Sequence, residues 1–239
     1  MEFHTSLPQA LLAAAMIVST VGSYIACSPP HPNPETAPPT SDFISSLNLT
    51  RKHATKITMA PLGLLLAHTC LLVLFYPDIP PAVLNHGAEN GLNTDLITWS
   101  AATAIPLALI LFAGIPLRLI SYSSLGKNFT FALAKPDRLT TTGIHRYMQH
   151  PSYTGVVILI VCNVVLFGRA DGVMSCWIAP AWLRIFRTAE PTSMTVIVSM
   201  LLLGVWTRVK EEERMLQAEF GVEWERWHSK TPRFIPWLV

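Results

Sequence analysis

Five apolar stretches decide what this chain can become. Leu7–Ala26, Ile57–Tyr76, Leu96–Ile120, Tyr153–Phe167 and Met194–Thr207 contain no Lys, Arg, Asp or Glu apart from Arg118. Crossing a hydrocarbon core takes roughly 20 helical residues, because only a helix or a closed barrel satisfies its own backbone there. The last two runs are short, so each is expected to borrow flanking residues or to pair as a tight hairpin. Only 13% of the 239 residues are charged, whereas a soluble domain carries about a quarter. The pattern therefore predicts an all-α polytopic membrane bundle of about five transmembrane helices. Arg118 lies near the end of its run and is expected to snorkel toward water.

Basic residues predict the orientation. If the five runs alternate sides, one face collects Arg51, Lys52 and Lys56, then Arg118, Lys127, Lys135, Arg138 and Arg146, then all six basic residues after Thr207. That is fourteen of the seventeen Lys and Arg residues, and this face is expected to be cytoplasmic with the N-terminus on the other side. The first run reads as a retained helix, since Met1–Ser6 has no Lys or Arg and no small-x-small cleavage site follows. "CSPPHPNPETAPPTSD", residues 27 to 42, is too rich in proline for helix or sheet and reads as an extended or disordered connector. The expected organisation is an accessory first helix (1–27), a proline-rich linker (28–56) and a membrane core (57–239). Residues 76–95 read as the outer loop. Residues 168–192 are open between a segment lying in the interface, with its tryptophans at headgroup level, and a further partial insertion.

The four cysteines form no CxxC pair and sit in apolar surroundings, so packing, and neither zinc nor disulfides, is expected. GxGxxG, Walker A and HExxH are all absent, which removes the usual soluble nucleotide pockets. Chemistry is left to two polar clusters on the basic face. One is "DRLTTTGIHRYMQHPSYTG", residues 137 to 155. Pro151 suits the first turn of a helix, and Gly155 leaves a bare backbone patch for a flat ligand or another helix. Alone, His150 reads equally as an interfacial ring bonded to a carbonyl, and Tyr153 as an aromatic-belt residue. The other cluster opens where the last run ends, with Arg208 followed by Glu211 and Glu212 at i+3 and i+4 on one face. A solvated salt-bridged helix would look similar, but Arg before Glu is the weaker order, and ionisable groups at a membrane exit mark candidate sites.

Residues 119–237, running through "LISYSSLGKNFTF", "LTTTGIHRYMQHPSYTG" and "RVKEEERMLQAEFGVEWERWHSKTPRFIP", resemble the isoprenylcysteine carboxyl methyltransferase family, whose members are multi-pass membrane enzymes using S-adenosylmethionine. Phospholipid methyltransferases share a looser version. The resemblance implies a cytoplasmic C-terminal catalytic segment in the endoplasmic reticulum membrane. It assigns His150, Pro151, Ser152 and Tyr153 to the cofactor-binding stretch, Glu212 to a carboxylate contact with the cofactor, and Leu139 and Thr140 to the pocket lining. Arg208 would hold the substrate carboxylate. Two positions depart from the family: Gln149 replaces the arginine before His-Pro, and His145, in the same cofactor segment, replaces a tyrosine. Losing the arginine predicts less positive charge at the pocket. The implied partners are prenylated protein C-termini bearing farnesyl or geranylgeranyl cysteine, together with the lipid bilayer; nucleic acid is not among them. Methylation of a lipid amine, and a non-catalytic scaffold on the same fold, remain as alternatives.

The orientation is testable through two sequons, Asn48-Leu-Thr and Asn128-Phe-Thr. Both fall on the basic face, so expression in microsomes should leave both unmodified. A glycan on Asn128, detected as an endoglycosidase-sensitive mobility shift, would reverse the assigned orientation.

Overall fold

The computed structural model describes residues 5–30, 54–129 and 135–236. Every regular element among them is a helix. Most of the proline-rich linker and Asn48 fall outside the described residues.

Helix α1, Leu7–Cys27, opens on Ser6 and Gln9, whose side chains form a capping box. Its buried positions, Leu12, Met16, Ser19, Thr20 and Ser23, recur at helical spacing, and the helix packs mainly against α2, Ala54–Phe75. The third run becomes two helices in line, α3 (Ala101–Leu109) and α4 (Ile115–Leu125), joined by a π turn at Ile110–Gly114. Pro116 has no N–H to offer the carbonyl of Phe112, which accounts for a widened turn at this place. Helix α5, Pro151–Phe167, has only 17 residues, about 25 Å of rise. Helix α6 runs unbroken for 41 residues, Pro180–Phe220, through Pro191. A left-handed Gly221 (φ +50°) then turns the chain into α7, Val222–His228.

Among the described residues four helical stretches are long and apolar enough to cross a membrane: α1, α2, the α3–α4 rod and α6. Helix α5 is apolar but shorter. The expected bundle is thus present, with the fifth run lengthened at both ends while the fourth stays short. Residues 168–179 form a loop with a 3-10 turn at Val173–Cys176, and α6 takes up the remainder from Pro180. All four cysteines are free.

Loops gather at the two ends in the alternation expected from the sequence. At one end Trp99 Nε1 donates to the Pro8 carbonyl (2.8 Å), Asn93 N to Asp171 O (2.8 Å) and Asn90 Nδ2 to Ser175 O (2.7 Å). At the other, Thr55 Oγ1 donates to Cys27 O (3.2 Å), Lys135 pairs with Glu219 (2.8 Å) and Trp227 Nε1 donates to His145 O (3.0 Å).

Arg118 does not snorkel. It is 5% exposed, with Nε donating to Ala26 O (2.9 Å) and Nη1 to Ser152 Oγ (2.5 Å). The carbonyl and hydroxyl acceptors inside the bundle replace the water that the side chain was expected to seek. Gly155 allows this: a Cβ there would sit 2.9 Å from both Arg118 Cγ and the Gly114 carbonyl oxygen. The bare patch on α5 is filled by the α3–α4 rod, as small residues allow where helices cross closely in membranes. Because one of the two obstacles is backbone, Gly155→Ala should destabilise the bundle by about 1–3 kcal/mol. A lower midpoint of thermal inactivation in detergent would show it, and an unchanged midpoint would remove the close contact from the account.

Candidate active site

The first turn of α5 and the end of α6 build the site. Pro151 is at position N1 of α5 with His150 as the N-cap residue, a place where the missing proline N–H costs nothing. The cap aims the following turn at α6. Tyr153 Oη donates to Glu212 Oε2 at 2.8 Å, which joins the two polar clusters. Arg208, four residues before Glu212 on the same face, is 4% exposed and feels both Glu212 and Glu211 electrostatically.

His150 is 3% exposed. Its Nδ1 lies 3.9 Å from Glu212 Oε1 and its Nε2 lies 3.6 Å from Glu213 Oε1, both beyond hydrogen-bond reach. The ring is tilted against Tyr153 and Phe234, with centroids 5.8 and 6.1 Å away. Among the described residues of these clusters four buried polar atoms have no hydrogen-bond partner: His150 Nε2, Thr140 Oγ1, Glu211 Oε2 and, further along, Trp224 Nε1. Such atoms are costly unless something else satisfies them. They present both donor and acceptor capacity, as a ligand rich in hydroxyl, amine and carboxylate groups requires.

The remaining expected residues are placed as follows. Leu139 and Thr140 are half-buried in the loop before the Gly143–Arg146 3-10 turn. His145, within that turn, is 4% exposed with Nδ1 3.2 Å from Ser124 Oγ. Burial pushes its pKa down to about 4 against the opposing pull of Glu212. Ser152 accepts from Arg118, and Pro151 is buried at the helix start.

Gln149, which stands where the resemblance led to an arginine, is buried and spends its side chain on bonds within the protein. Its Nε2 donates to His228 O at 3.2 Å and to the Thr231 carbonyl, and its Oε1 lies 2.8 Å from His228 Nδ1. The backbone repeats the connection, with Gln149 N donating to Pro232 O and His150 N to Arg233 O, both at 2.9 Å. Thr154 Oγ1 adds a bond to Phe234 O at 2.9 Å. Residues 228–234 thus form a strap across the start of α5.

Glu213, which the face-counting argument passed over, anchors the strap. It is 5% exposed and accepts from Arg233 Nε at 2.6 Å, Arg233 Nη2 at 3.4 Å and Lys210 Nζ at 3.0 Å. Arg233 Nη2 also lies 3.2 Å from His228 Nε2. Since a guanidinium only donates, that nitrogen accepts, and the proton belongs on Nδ1 facing the Gln149 oxygen. His228 is therefore held neutral, its pKa pushed below the ordinary value first by burial, with Arg233 and Lys210 adding to the shift and Glu213 opposing it. Burial of Glu213, the third glutamate of the run, was not readable from i+3 and i+4 spacing. The signal available was the run of three consecutive glutamates, one of which must face inward.

These features define the class: a polytopic helical membrane protein with a polar site assembled at one end of its bundle. Residues 106–190 match the model of the isoprenylcysteine carboxyl methyltransferase family. The chain is also similar to two proteins named probable protein-S-isoprenylcysteine O-methyltransferase, from Oryza sativa subsp. indica and subsp. japonica. Identity is 24% over 161 residues in each case, covering 66% of this chain and 73% of the relative. The resemblance read from the motifs is thus also carried by residues 106–118, before the first motif quoted for it. The family model includes Arg118 and the His150–Tyr153 stretch and ends before Arg208.

His145 and His228 both have folded-state pKa values below about 6.5, the unfolded reference. The unfolded chain then binds more protons, so their stabilisation is complete above that value and is lost as pH falls toward the folded pKa values. Thermal inactivation midpoints should drop between pH 7 and pH 5, and His228→Asn should flatten part of the drop. A profile level across this window would contradict neutral burial of both rings.

Proposed function

We propose that the protein transfers the methyl group of S-adenosylmethionine to the C-terminal carboxylate of prenylated cysteine, forming a methyl ester at the cytosolic face of the endoplasmic reticulum membrane. The observation that carries this reading is the Tyr153–Glu212 hydrogen bond, which brings the His-Pro-Ser-Tyr turn within one helical turn of the buried Arg208.

The residue set fits such a cofactor. Leu139, Thr140, His145, His150, Pro151, Ser152, Tyr153 and Glu212 are the residues assigned to hold it, and the partnerless atoms of Thr140 and His150 are the donors and acceptors it would satisfy. S-adenosylmethionine supplies an electrophilic methyl group on a cationic sulfur. Arg208 meets a carboxylate with a planar fork of donors, fixing the nucleophile's direction. A carboxylate is already ionised at neutral pH, so no general base is needed and no proton moves. The new O–C bond forms as the C–S bond breaks, and carboxylate and sulfonium charges cancel. A site that excludes water favours a reaction in which charge disappears, and the burial of Arg208 and His150 provides one. Positioning supplies much of the remaining acceleration.

The location follows from solubility. A prenyl tail partitions into lipid while the cofactor arrives from water, and the site stands where apolar helices give way to the end of the bundle that carries Lys135, Arg146, Lys210 and Arg233. The prenylated protein and the bilayer are thus the partners.

Membranes containing the chain should convert labelled S-adenosylmethionine and N-acetyl-farnesylcysteine into base-labile methyl ester. Arg208→Ala and Glu212→Ala should each lower the rate by about 100-fold or more. Label appearing in a phospholipid amine and surviving Arg208→Ala would replace this reading with lipid N-methylation. A chain that neither binds nor consumes the cofactor would leave a scaffold.

A further inference from the structure

The last four carbonyls of any helix lack an intrahelical donor, and at the end of α1 all four are met by identifiable groups. Ser28 Oγ donates to Tyr24 O at 2.7 Å, Ser28 N to Ile25 O at 3.2 Å and Thr55 Oγ1 to Cys27 O at 3.2 Å. The remaining carbonyl, Ala26, takes Arg118 Nε at 2.9 Å and the Tyr122 hydroxyl. A buried guanidinium is thereby set against the negative end of a helix dipole, where a cation is favoured. Its plane is further bounded by the Tyr122 and Phe129 rings, with centroids 4.9 and 5.8 Å away.

The other side of the same guanidinium reaches the candidate active site, through Arg118 Nη1 to Ser152 Oγ. Ser152 follows Pro151 and precedes Tyr153, so one planar group spans from the end of α1 to the turn that carries His150 and Tyr153. The guanidinium fixes both directions at once, since its donors diverge at a set angle. Asn163 Nδ2 donating to Ser23 Oγ (3.1 Å) makes a second polar tie between α1 and α5 deeper in the bundle.

We propose that α1 is part of the active-site scaffold and that Arg118 is a positioning residue, transmitting the location of the Ala26 carbonyl to Ser152 and hence to the first turn of α5. The consequence for cofactor binding rests on the methyltransferase reading above; the positioning itself does not. Displacing α1 without touching Arg118 should then have the same effect as removing the guanidinium. Gly22 offers the means, because a Cβ there would stand 2.4 Å from Ile115 Cδ1 at the contact of α1 with α4.

The test uses the full chain in lipid nanodiscs and four variants: Arg118→Gln, Arg118→Lys, Gly22→Leu, and Gly22→Leu with Ile115→Ala. Amide hydrogen exchange is read at residues 152–156, with residues 162–167 of the same helix as the internal reference, alongside KM for S-adenosylmethionine and kcat. Arg118→Gln and Gly22→Leu should speed exchange at 152–156 alone and raise KM for the cofactor by about tenfold or more. Arg118→Lys should recover part of both effects and Ile115→Ala most of the Gly22→Leu effect. If Arg118→Gln loosens the whole bundle, the Gly22 pair decides. Faster exchange at 152–156 in a protein that does not bind S-adenosylmethionine would uphold the relay and overturn the methyltransferase reading. Exchange unchanged at 152–156 in both Arg118→Gln and Gly22→Leu would overturn the relay, whatever happens to activity.

Discussion

A carboxylate taken out of water as fully as Glu213 must be surrounded by donors, and the C-terminal third of the protein is arranged around that requirement. Lys210 comes from the preceding turn of α6, but Arg233 arrives from twenty residues further along. Bringing it back requires the reversal at Gly221 and the short helix α7. The returning chain then has carbonyls of its own to satisfy, and those of Pro232, Arg233 and Phe234 are met by Gln149, His150 and Thr154. One buried charge thus accounts for a strap, a turn and the fixed entry of α5. The same strap keeps Phe234 against the His150 ring.

The bilayer imposes the complementary constraint. Within it a backbone carbonyl without a donor is costly, so helix ends gather at the two boundaries of the bundle, and side chains reach across to cap them. Arg118, Thr55 and Tyr122 do this for α1 on the side of the candidate site. The candidate site stands where such capping groups are densest, and there they become available for a second purpose.

The bundle was legible in the sequence because membrane helices announce themselves by length and apolarity. The His-Pro-x-Tyr-x-Gly turn and the Arg208–Glu212 pair were legible because each is a contiguous pattern with a physical reason for its spacing. Other features lacked such a signature. Helix α6 extends over residues 180–193, where Arg184, Arg187 and Glu190 interrupt apolarity, so hydropathy alone truncates it. Glu213 lies five residues from Arg208, off the face that i+3 and i+4 counting selects, and its partner comes through a chain reversal. Arg118 looked like a snorkelling residue because its acceptors include a backbone carbonyl, and no residue type marks one that needs a donor. Gln149 looked like a lost charge when judged by alignment; in the fold it is an amide that reads both a carbonyl-rich strap and a histidine.

Helix α6 also has a mechanical meaning. Near its N-terminal end Arg187 Nη2 donates to the Asn90 carbonyl at 2.6 Å and Glu190 accepts from Ala170 N at 3.3 Å, while Arg208 and Glu212 stand toward its far end. At 1.5 Å per residue the rod from Arg187 to Arg208 is about 31 Å long, close to the thickness of the hydrocarbon core. It is a lever with its anchorage at one end of the bundle and the candidate site at the other. Tilting it by about 5° at the Arg187 anchorage displaces the guanidinium of Arg208 by roughly 2–3 Å. The thickness of the surrounding bilayer, to which a long apolar helix can accommodate by tilting, is therefore a geometric input to the spacing between Arg208 and the turn at His150.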